Sequence, residues 1–197
     1  MTFKIFDLWD ISEVQVEDLG LKRYINLDAR LVLKSHGRAR EKFGKAKVNI
    51  IERLINELTV SGHRGKKHKI ITKWATGKFS QKTLTVIETF KIIEKESKQN
   101  PIMVFVKAIE NATPREEITV IEYGGARYPQ AVDTSPTRRL GLALRNIVHG
   151  ASDKAFNKKM SIAEALAREI SLASQNSNDS FAISKKNELE KQANSAR

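Results

Sequence analysis

The chain has 197 residues, 40% of them hydrophobic and only 7% aromatic, which is enough for one folded domain with a mainly aliphatic core. Its 35 Lys and Arg against 23 Asp and Glu give a net charge of +12, which is typical of proteins that bind a polyanion. The chain contains no cysteine, which excludes disulfides and thiolate metal sites, and no apolar run long enough to span a membrane. We therefore expect a cytoplasmic protein that faces nucleic acid and has no membrane partner.

The first part of the chain changes character near residue 34. Residues 1–33 are locally acidic and carry loosely alternating Val and Leu, which predicts short strands or an extended segment that lies on the main domain. Residues 34–47 are basic, contain two glycines and lack an apolar period, which predicts a mobile arm. We therefore predict an N-terminal extension and basic arm over residues 1–46 and a helical domain over residues 47–197.

Helices are predicted through the middle of the chain. Apolar residues recur every three or four positions over about residues 47–60 and 82–97, which indicates one buried helical face in each. An Asn-Pro pair at residues 100–101 supplies an N-cap and a proline suited to the first helical position. The Thr-Pro pair at residues 113–114 is predicted to end this third helix, because the residue before a proline disfavours helical geometry.

Residues 116–133 change to the period of a strand. Apolar and polar residues alternate loosely before Gly124 and Gly125, and a second extended run follows them, which predicts a β-hairpin with a tight glycine turn. A lone two-stranded hairpin is only marginally stable, so we expect it to lean on the domain or on a partner. The predicted fold class is mainly α: a helical bundle-like domain with a protruding two-stranded β-hairpin arm and an extended N-terminal segment.

Further helices are predicted after the hairpin. A Ser-Pro pair at residues 135–136 begins one of them, and Gly150 suits the position just after its end. Ser161 and Glu164 have the spacing of a capping box at the start of the next. The final stretch, residues 181–197, predicts a polar helix.

The sequence gives no support for catalysis. The loop histidines His63 and His68 are surrounded by Lys and Arg without a nearby carboxylate, which disfavours a metal site. His149 is predicted at a helix end, where the dipole favours a cation. A glycine-rich phosphate loop leading into a helix and a nucleophile motif are both lacking, so we predict a protein that is not an enzyme and uses no cofactor or metal.

Basic residues, in contrast, are organised into three clusters. One is the arm, another is a glycine-containing loop over residues 61–82 that also holds Trp74 and Phe79, and the last is the helix after the hairpin. Cations on flexible segments beside aromatic rings suit phosphates and unstacked bases. The RNA-binding residues predicted from these clusters are Arg38, Arg40, Lys42, Lys45, Lys47, Arg64, Lys66, Lys67, Lys69, Arg138, Arg139 and Arg145.

Several of these segments resemble a known family. The turn GGARYPQ with the following AVDTSPTRR, then GLALRNIVHGA, MSIAEALAREI and SFAISKKNELEKQANSAR, resemble ribosomal protein seven of the small subunit. The stretches NPIMVFVKAIENATPRE and KVNIIERLINEL match as well. The opening segments FKIFDLWD and DLGLKRYI look like the extension of archaeal and eukaryotic members. The resemblance covers almost the whole chain.

The resemblance implies a structural constituent of the small ribosomal subunit. Family members bind the 3′ major domain of small-subunit rRNA, nucleate assembly of the subunit head, and lie near the mRNA exit channel and the E-site tRNA. Their neighbours are other head proteins and ribosomal protein eleven at the exit channel. The 61–82 loop is longer than the family pattern, so its contacts are not transferred. The RNA contacts that the resemblance implies or supports are Lys45, Lys47, Gly124, Gly125, Arg127, Tyr128, Arg138 and Arg139, and we add Lys185 and Lys186 from the matching C-terminal stretch.

Two other functions compete with this interpretation. A DNA-bending architectural protein could insert a basic hairpin arm into a minor groove, with Pro129 near the tip as an apolar wedge. The polar hairpin and the lack of a dimer seam weigh against it. An rRNA-modifying enzyme would need a cofactor-binding loop, which the sequence does not provide.

Overall fold

The computed structural model describes residues 4–28, 40–62, 64 and 78–197. These residues form helices and one two-stranded hairpin, which confirms the predicted mainly α class. The elements are α1 (Leu19–Lys22), a 3-10 helix (Gly44–Lys47), α2 (Ile50–Thr59), α3 (Phe79–Ser97), α4 (Pro101–Ala112), β1 (Glu116–Tyr123), β2 (Ala126–Asp133), α5 (Pro136–Ala155), α6 (Ile162–Ser174) and α7 (Phe181–Ser195).

The helix starts predicted from capping residues are confirmed. The Asn100 side chain accepts a hydrogen bond from the Ile102 backbone N–H, and Pro101 occupies the first turn of α4. The Ser161 hydroxyl accepts from the backbone N–H of Glu164, whose carboxylate accepts from the backbone N–H of Ser161 in return. These caps satisfy backbone donors that an α-helix leaves without an internal partner.

Helix α3 begins at Phe79, earlier than the predicted start near residue 82. Its first turn is mostly polar, so the apolar period that predicted the helix appears only further along the chain. Phe79 packs at the margin of the core, and the Thr83 hydroxyl donates back to its carbonyl at 3.0 Å. Tertiary packing therefore extends the helix beyond its sequence signal.

The N-terminal segment lies on the helical domain, as predicted. Its residues Ile5, Trp9, Leu21 and Ile25 are buried in the same hydrophobic cluster as α2 to α7. The Trp9 indole packs edge-on against Phe90, with 5.6 Å between the ring centroids. Burial of these side chains stabilises the segment on the domain, and part of the segment is the short helix α1, where the sequence predicts strands or an extended chain. The division of the chain at residue 46 stays a prediction.

The prediction that Gly150 ends its helix is wrong, because α5 continues to Ala155. A Cβ atom added at Gly150 would lie 2.7 Å from the Phe181 Cβ and 3.0 Å from the Glu169 Cδ. Gly150 therefore permits close packing of α5 against the start of α7 and against α6. The glycine is explained by this close approach and not by the backbone geometry of a helix end.

This packing predicts opposite effects for two glycine substitutions in α5. We expect Gly150→Ala to lower the free energy of unfolding by about 1–3 kcal/mol, because the added methyl overpacks the junction. Gly141→Ala should raise it by about 0.5–1 kcal/mol, since nothing lies within 4 Å of its Cβ position and alanine favours the helix. Urea denaturation of both variants measures the difference. Equal signs for the two substitutions would contradict the packing described.

The hairpin protrudes from the helical body. Strands β1 and β2 pair antiparallel from Glu116 opposite Asp133 to Tyr123 opposite Ala126. Gly124 and Gly125 form the turn with φ values of 58° and 80°, a left-handed geometry that glycine adopts without steric strain. All side chains from residue 119 to residue 130 are exposed. The predicted hairpin and its turn are therefore confirmed.

Candidate nucleic-acid interface

The best described basic surface surrounds the 3-10 helix, and we call residues 40–47 the basic segment. Its predicted RNA-binding side chains, Arg40, Lys42, Lys45 and Lys47, are all exposed. The segment is fixed to the N-terminal segment, because the Asn26 side chain donates to the Lys47 carbonyl at 2.8 Å. The exposed cations therefore stand on a backbone that is held at Lys47 and forms a 3-10 helix, within the stretch that the sequence predicts to be a mobile arm.

One acidic residue lies within this basic segment. Glu41 accepts a hydrogen bond from the Lys47 ammonium at 2.6 Å, and this bond and the positive charge of Lys47 lower the pKa of the Glu41 carboxyl. Both side chains are exposed. Exposed ion pairs contribute little to stability, so an RNA phosphate can compete for Lys47.

Several predicted contacts lie outside the described residues. They are Arg38 of the arm and Lys66, Lys67 and Lys69 of the loop, and the loop histidines His63 and His68 lie outside as well. Arg64 is described and donates to both carboxylate oxygens of Asp153, at 2.9 and 2.6 Å. It therefore fastens the chain beyond α2 to α5. Its predicted contact with RNA stays a prediction.

The arginines of α5 have different surroundings. Arg145 is exposed, and Arg138, which is 59% exposed, lies 2.6 Å from Glu117 at the base of β1, which raises the pKa of the arginine. Arg139 is only 13% exposed and donates to Asp18, to the Pro114 carbonyl and to Thr113, at 3.0, 3.1 and 3.3 Å. Arg139 thus joins the N-terminal segment, the end of α4 and α5, and its predicted RNA contact remains untested.

The hairpin is held at its base and free at its tip. Glu117 pairs with Arg138 of α5, and its neighbour Glu116 pairs with Arg197 beyond α7. Successive strand residues point to opposite faces, so the two ion pairs hold the hairpin from both sides. Toward the tip, Arg127 lies 3.7 Å from the opposing Glu122. The remaining predicted tip residues, Gly124, Gly125 and Tyr128, are exposed.

The C-terminal lysines are less exposed than those of the basic segment. Lys185 pairs with Glu188 on the same face of α7 and lies 5.9 Å from the centre of the Phe181 ring. Both Lys185 and Lys186 are half-buried. Their predicted contact with RNA stays a prediction.

Comparison with known proteins identifies the family. The family model for ribosomal protein S7p/S5e matches residues 21–197. This chain belongs to the ribosomal protein S7p/S5e family. It is 56% identical over 198 residues to the small ribosomal subunit protein uS7 of Nanoarchaeum equitans, which covers 100% of both chains. It is 48% identical over 194 residues to that of Archaeoglobus fulgidus, with 98% of this chain and 94% of the relative covered.

Membership in the S7p/S5e family confirms the resemblance carried by the sequence motifs, and these relatives are archaeal, which agrees with the predicted archaeal and eukaryotic type. The chain is therefore a ribosomal protein of the small subunit, and the ribosome is its predicted location. Among the described residues, no group of three His, Asp or Glu is placed to hold a metal ion. The helices within those same residues are too short or too polar to cross a membrane.

The prediction for His149 in this S7p/S5e member is wrong. The residue lies within α5, a full turn before the helix ends, and not at its C-terminus. Burial, followed by the charges of Arg64 and Arg145, lowers the pKa of His149 from 6.5 to about 4. The imidazole is therefore neutral at physiological pH and adds no positive charge to the basic surface.

His149 predicts a pH dependence of stability. Between the ordinary pKa of 6.5 and the lowered value of about 4, the unfolded chain binds a proton at His149 that the folded chain does not. The free energy of unfolding should therefore fall as the pH is lowered through this window. Denaturant titrations at several pH values should show a shallower fall for His149→Gln than for the unsubstituted protein. Parallel curves would contradict the assignment.

Sequence reasoning missed one exposed side chain in the basic segment. The Phe43 ring is 66% exposed and does not pack against the hydrophobic core. The sequence signal for Phe43 is an aromatic residue inside a run of Lys and Arg. The same pattern predicts nucleic-acid binding by the 61–82 loop.

Proposed function

We propose that this S7p/S5e family protein is a structural constituent that binds the 3′ major domain of small-subunit rRNA directly and nucleates assembly of the subunit head. It lies near the mRNA exit channel and the E-site tRNA, beside other head proteins and ribosomal protein eleven, and it is not an enzyme. The observation that carries the proposal is the anchored basic segment with its four exposed cations, on a chain of net charge +12. Family membership supports the ribosomal setting.

The physical basis of binding is contact with phosphate. Lys and Arg that neutralise phosphates supply most of the affinity and release counterions, so affinity falls steeply as salt rises. The deep major groove of A-form RNA hides base edges, which favours recognition of shape and backbone. A helical body with a fixed basic segment and a projecting hairpin suits recognition of this kind.

The hairpin supports the second half of the proposal. Its base is held by ion pairs from α5 and from the chain beyond α7, while its tip contributes nothing to the core. An element held rigidly in this way can reach a neighbouring molecule without altering the domain that binds rRNA. We assign this role to the contact with E-site tRNA.

One observation favours the DNA-bending alternative. Val120 is exposed and lies opposite Pro129 on the hairpin, which gives the arm an apolar pair that could wedge between base steps. This alternative predicts tight binding to duplex DNA, which the proposed function does not.

Binding measurements on a lysine variant test the role of the basic segment. We expect the double substitution Lys45→Ala, Lys47→Ala to weaken binding to a 3′ major domain fragment and to flatten the plot of log affinity against log salt. The slope should change by roughly one unit for each phosphate that the variant no longer neutralises. The matched control is Lys91→Ala, Lys95→Ala, which removes the same charge from exposed positions on α3. Equal slopes of log affinity against log salt in both variants would show that Lys45 and Lys47 do not contact the RNA.

A further inference from the structure

The backbone geometry at Phe43 directs its side chain away from the core. The residue has a φ of 61° and a ψ of 13°, a left-handed conformation that is uncommon for a residue with a side chain. Its carbonyl accepts from the Ala46 N–H at 3.0 Å, and the following Gly44 donates to the Glu41 carbonyl at 2.9 Å. The exposed ring is thus set by the backbone of the 3-10 helix.

One cation lies near this ring, and others flank it along the chain. The Lys42 ammonium lies 5.8 Å from its centre, and Arg40, Lys45 and Lys47 are exposed within four positions along the chain. A buried interface with another basic protein would bring like charges together, which is unfavourable. A nucleotide, in contrast, offers both an aromatic face for the ring and a phosphate for the lysines.

We propose that Phe43 stacks on one unpaired base of the RNA while the lysines beside it contact the adjoining phosphates. The inference rests on the proposed function and extends it, because it adds a base contact to an interface otherwise described by charge. The base must be in a loop or a bulge, since bases inside an A-form helix are already stacked on both sides. Phe43 is therefore the residue of the basic segment that distinguishes single-stranded from paired RNA.

A pair of substitutions separates stacking from general packing. Phe43→Leu keeps an apolar side chain of similar reach but removes the ring, and it should weaken binding to the 3′ major domain fragment roughly 5- to 100-fold. Phe43→Tyr keeps the ring and should bind within about twofold of the unsubstituted protein. The salt slope should be the same in all three proteins, because no charge changes. The melting temperature should also stay the same, because the ring is exposed.

The two proposals fail in different ways. If Phe43→Leu binds the fragment as tightly as the unsubstituted protein, and that binding retains a steep salt slope, the stacking inference is overturned and the proposed function stands. If the unsubstituted protein does not prefer the rRNA fragment, the proposed function itself fails.

A photocrosslink identifies what covers the ring. Phe43→p-benzoylphenylalanine, in the full chain assembled into small subunits, should crosslink to a nucleotide in an unpaired stretch of rRNA. A crosslink to another protein, or to a nucleotide within a continuous helix, would overturn the inference.

Discussion

Replacing Glu169 by alanine should lower the free energy of unfolding by about 3–5 kcal/mol, because it breaks a buried ion pair and leaves its partners unsatisfied. The residue is fully buried in α6. Its carboxylate accepts from the Lys154 ammonium at 2.6 Å, from the Ser180 hydroxyl at 2.8 Å and from the Ala182 N–H at 3.1 Å. Lys154 is partly exposed and reaches water, which favours the lower end of this range.

These contacts explain why α7 docks where it does. Ser180 is the N-cap of α7, and Ala182 is in its first turn, so the Glu169 charge faces the positive end of that helix dipole. The Lys154 partner belongs to α5. A single carboxylate therefore joins three helices at the junction that Gly150 keeps narrow.

Urea denaturation of Glu169→Ala, with Glu188→Ala as the control, measures this effect. The control removes a carboxylate from an exposed pair with Lys185 on α7, and it should change stability by less than about 1 kcal/mol. For a domain of this size, the expected loss for Glu169→Ala corresponds to a fall in melting temperature of roughly 10 °C. A fall no larger than that of the control would show that the carboxylate does not organise the junction.

Shortening the hairpin should leave folding and rRNA binding almost unchanged and impair a later step of translation. Deleting residues 120–123 and 126–129 removes four opposed pairs, so the register of the remaining strands and the Gly124-Gly125 turn are kept. The arm becomes shorter by roughly 14 Å, at about 3.4 Å per residue. Every deleted residue is exposed, and Glu116 and Glu117 at the base remain in place.

The deletion is judged by three measurements on one variant. The melting temperature and the affinity for the 3′ major domain fragment should match those of the intact protein. Reading-frame maintenance by assembled subunits should decline, because the shortened arm no longer reaches the E-site tRNA that we propose it touches. A large loss of rRNA affinity would make the hairpin part of the primary interface. Unchanged frame maintenance would argue against the tRNA contact.

Local features of the fold could be predicted from the sequence. The caps at Asn100 and Ser161, the prolines that follow or precede helices, and the Gly124-Gly125 turn act through neighbours within a few residues. The residues that cause each of these features lie next to it in the sequence. The hairpin could be predicted as well, because its glycine turn and the extended runs on either side of it are local patterns.

Features set by distant contacts could not be predicted in this way. The ion pair of Arg139 could not be predicted, because its partner Asp18 is 121 positions away. Glycine is common at helix ends, but Gly150 is required by the close approach of Phe181, a side chain of another helix. The neutral state of His149 likewise depends on burial and on Arg64. No local pattern of charge or hydrophobicity contains this information.

The central claim, that this protein binds the 3′ major domain of small-subunit rRNA, is tested most directly by competition. The protein is bound to a labelled 3′ major domain fragment and challenged, at one salt concentration, with that fragment, with a 5′ domain fragment of the same rRNA or with duplex DNA of equal charge. We predict that the 3′ major domain competes better than either of the others by roughly 10³-fold, the margin typical of specific nucleic-acid binding. Equal competition by all three would show that the protein binds polyanions without specificity and would contradict the claim. Stronger competition by duplex DNA would favour the DNA-bending alternative.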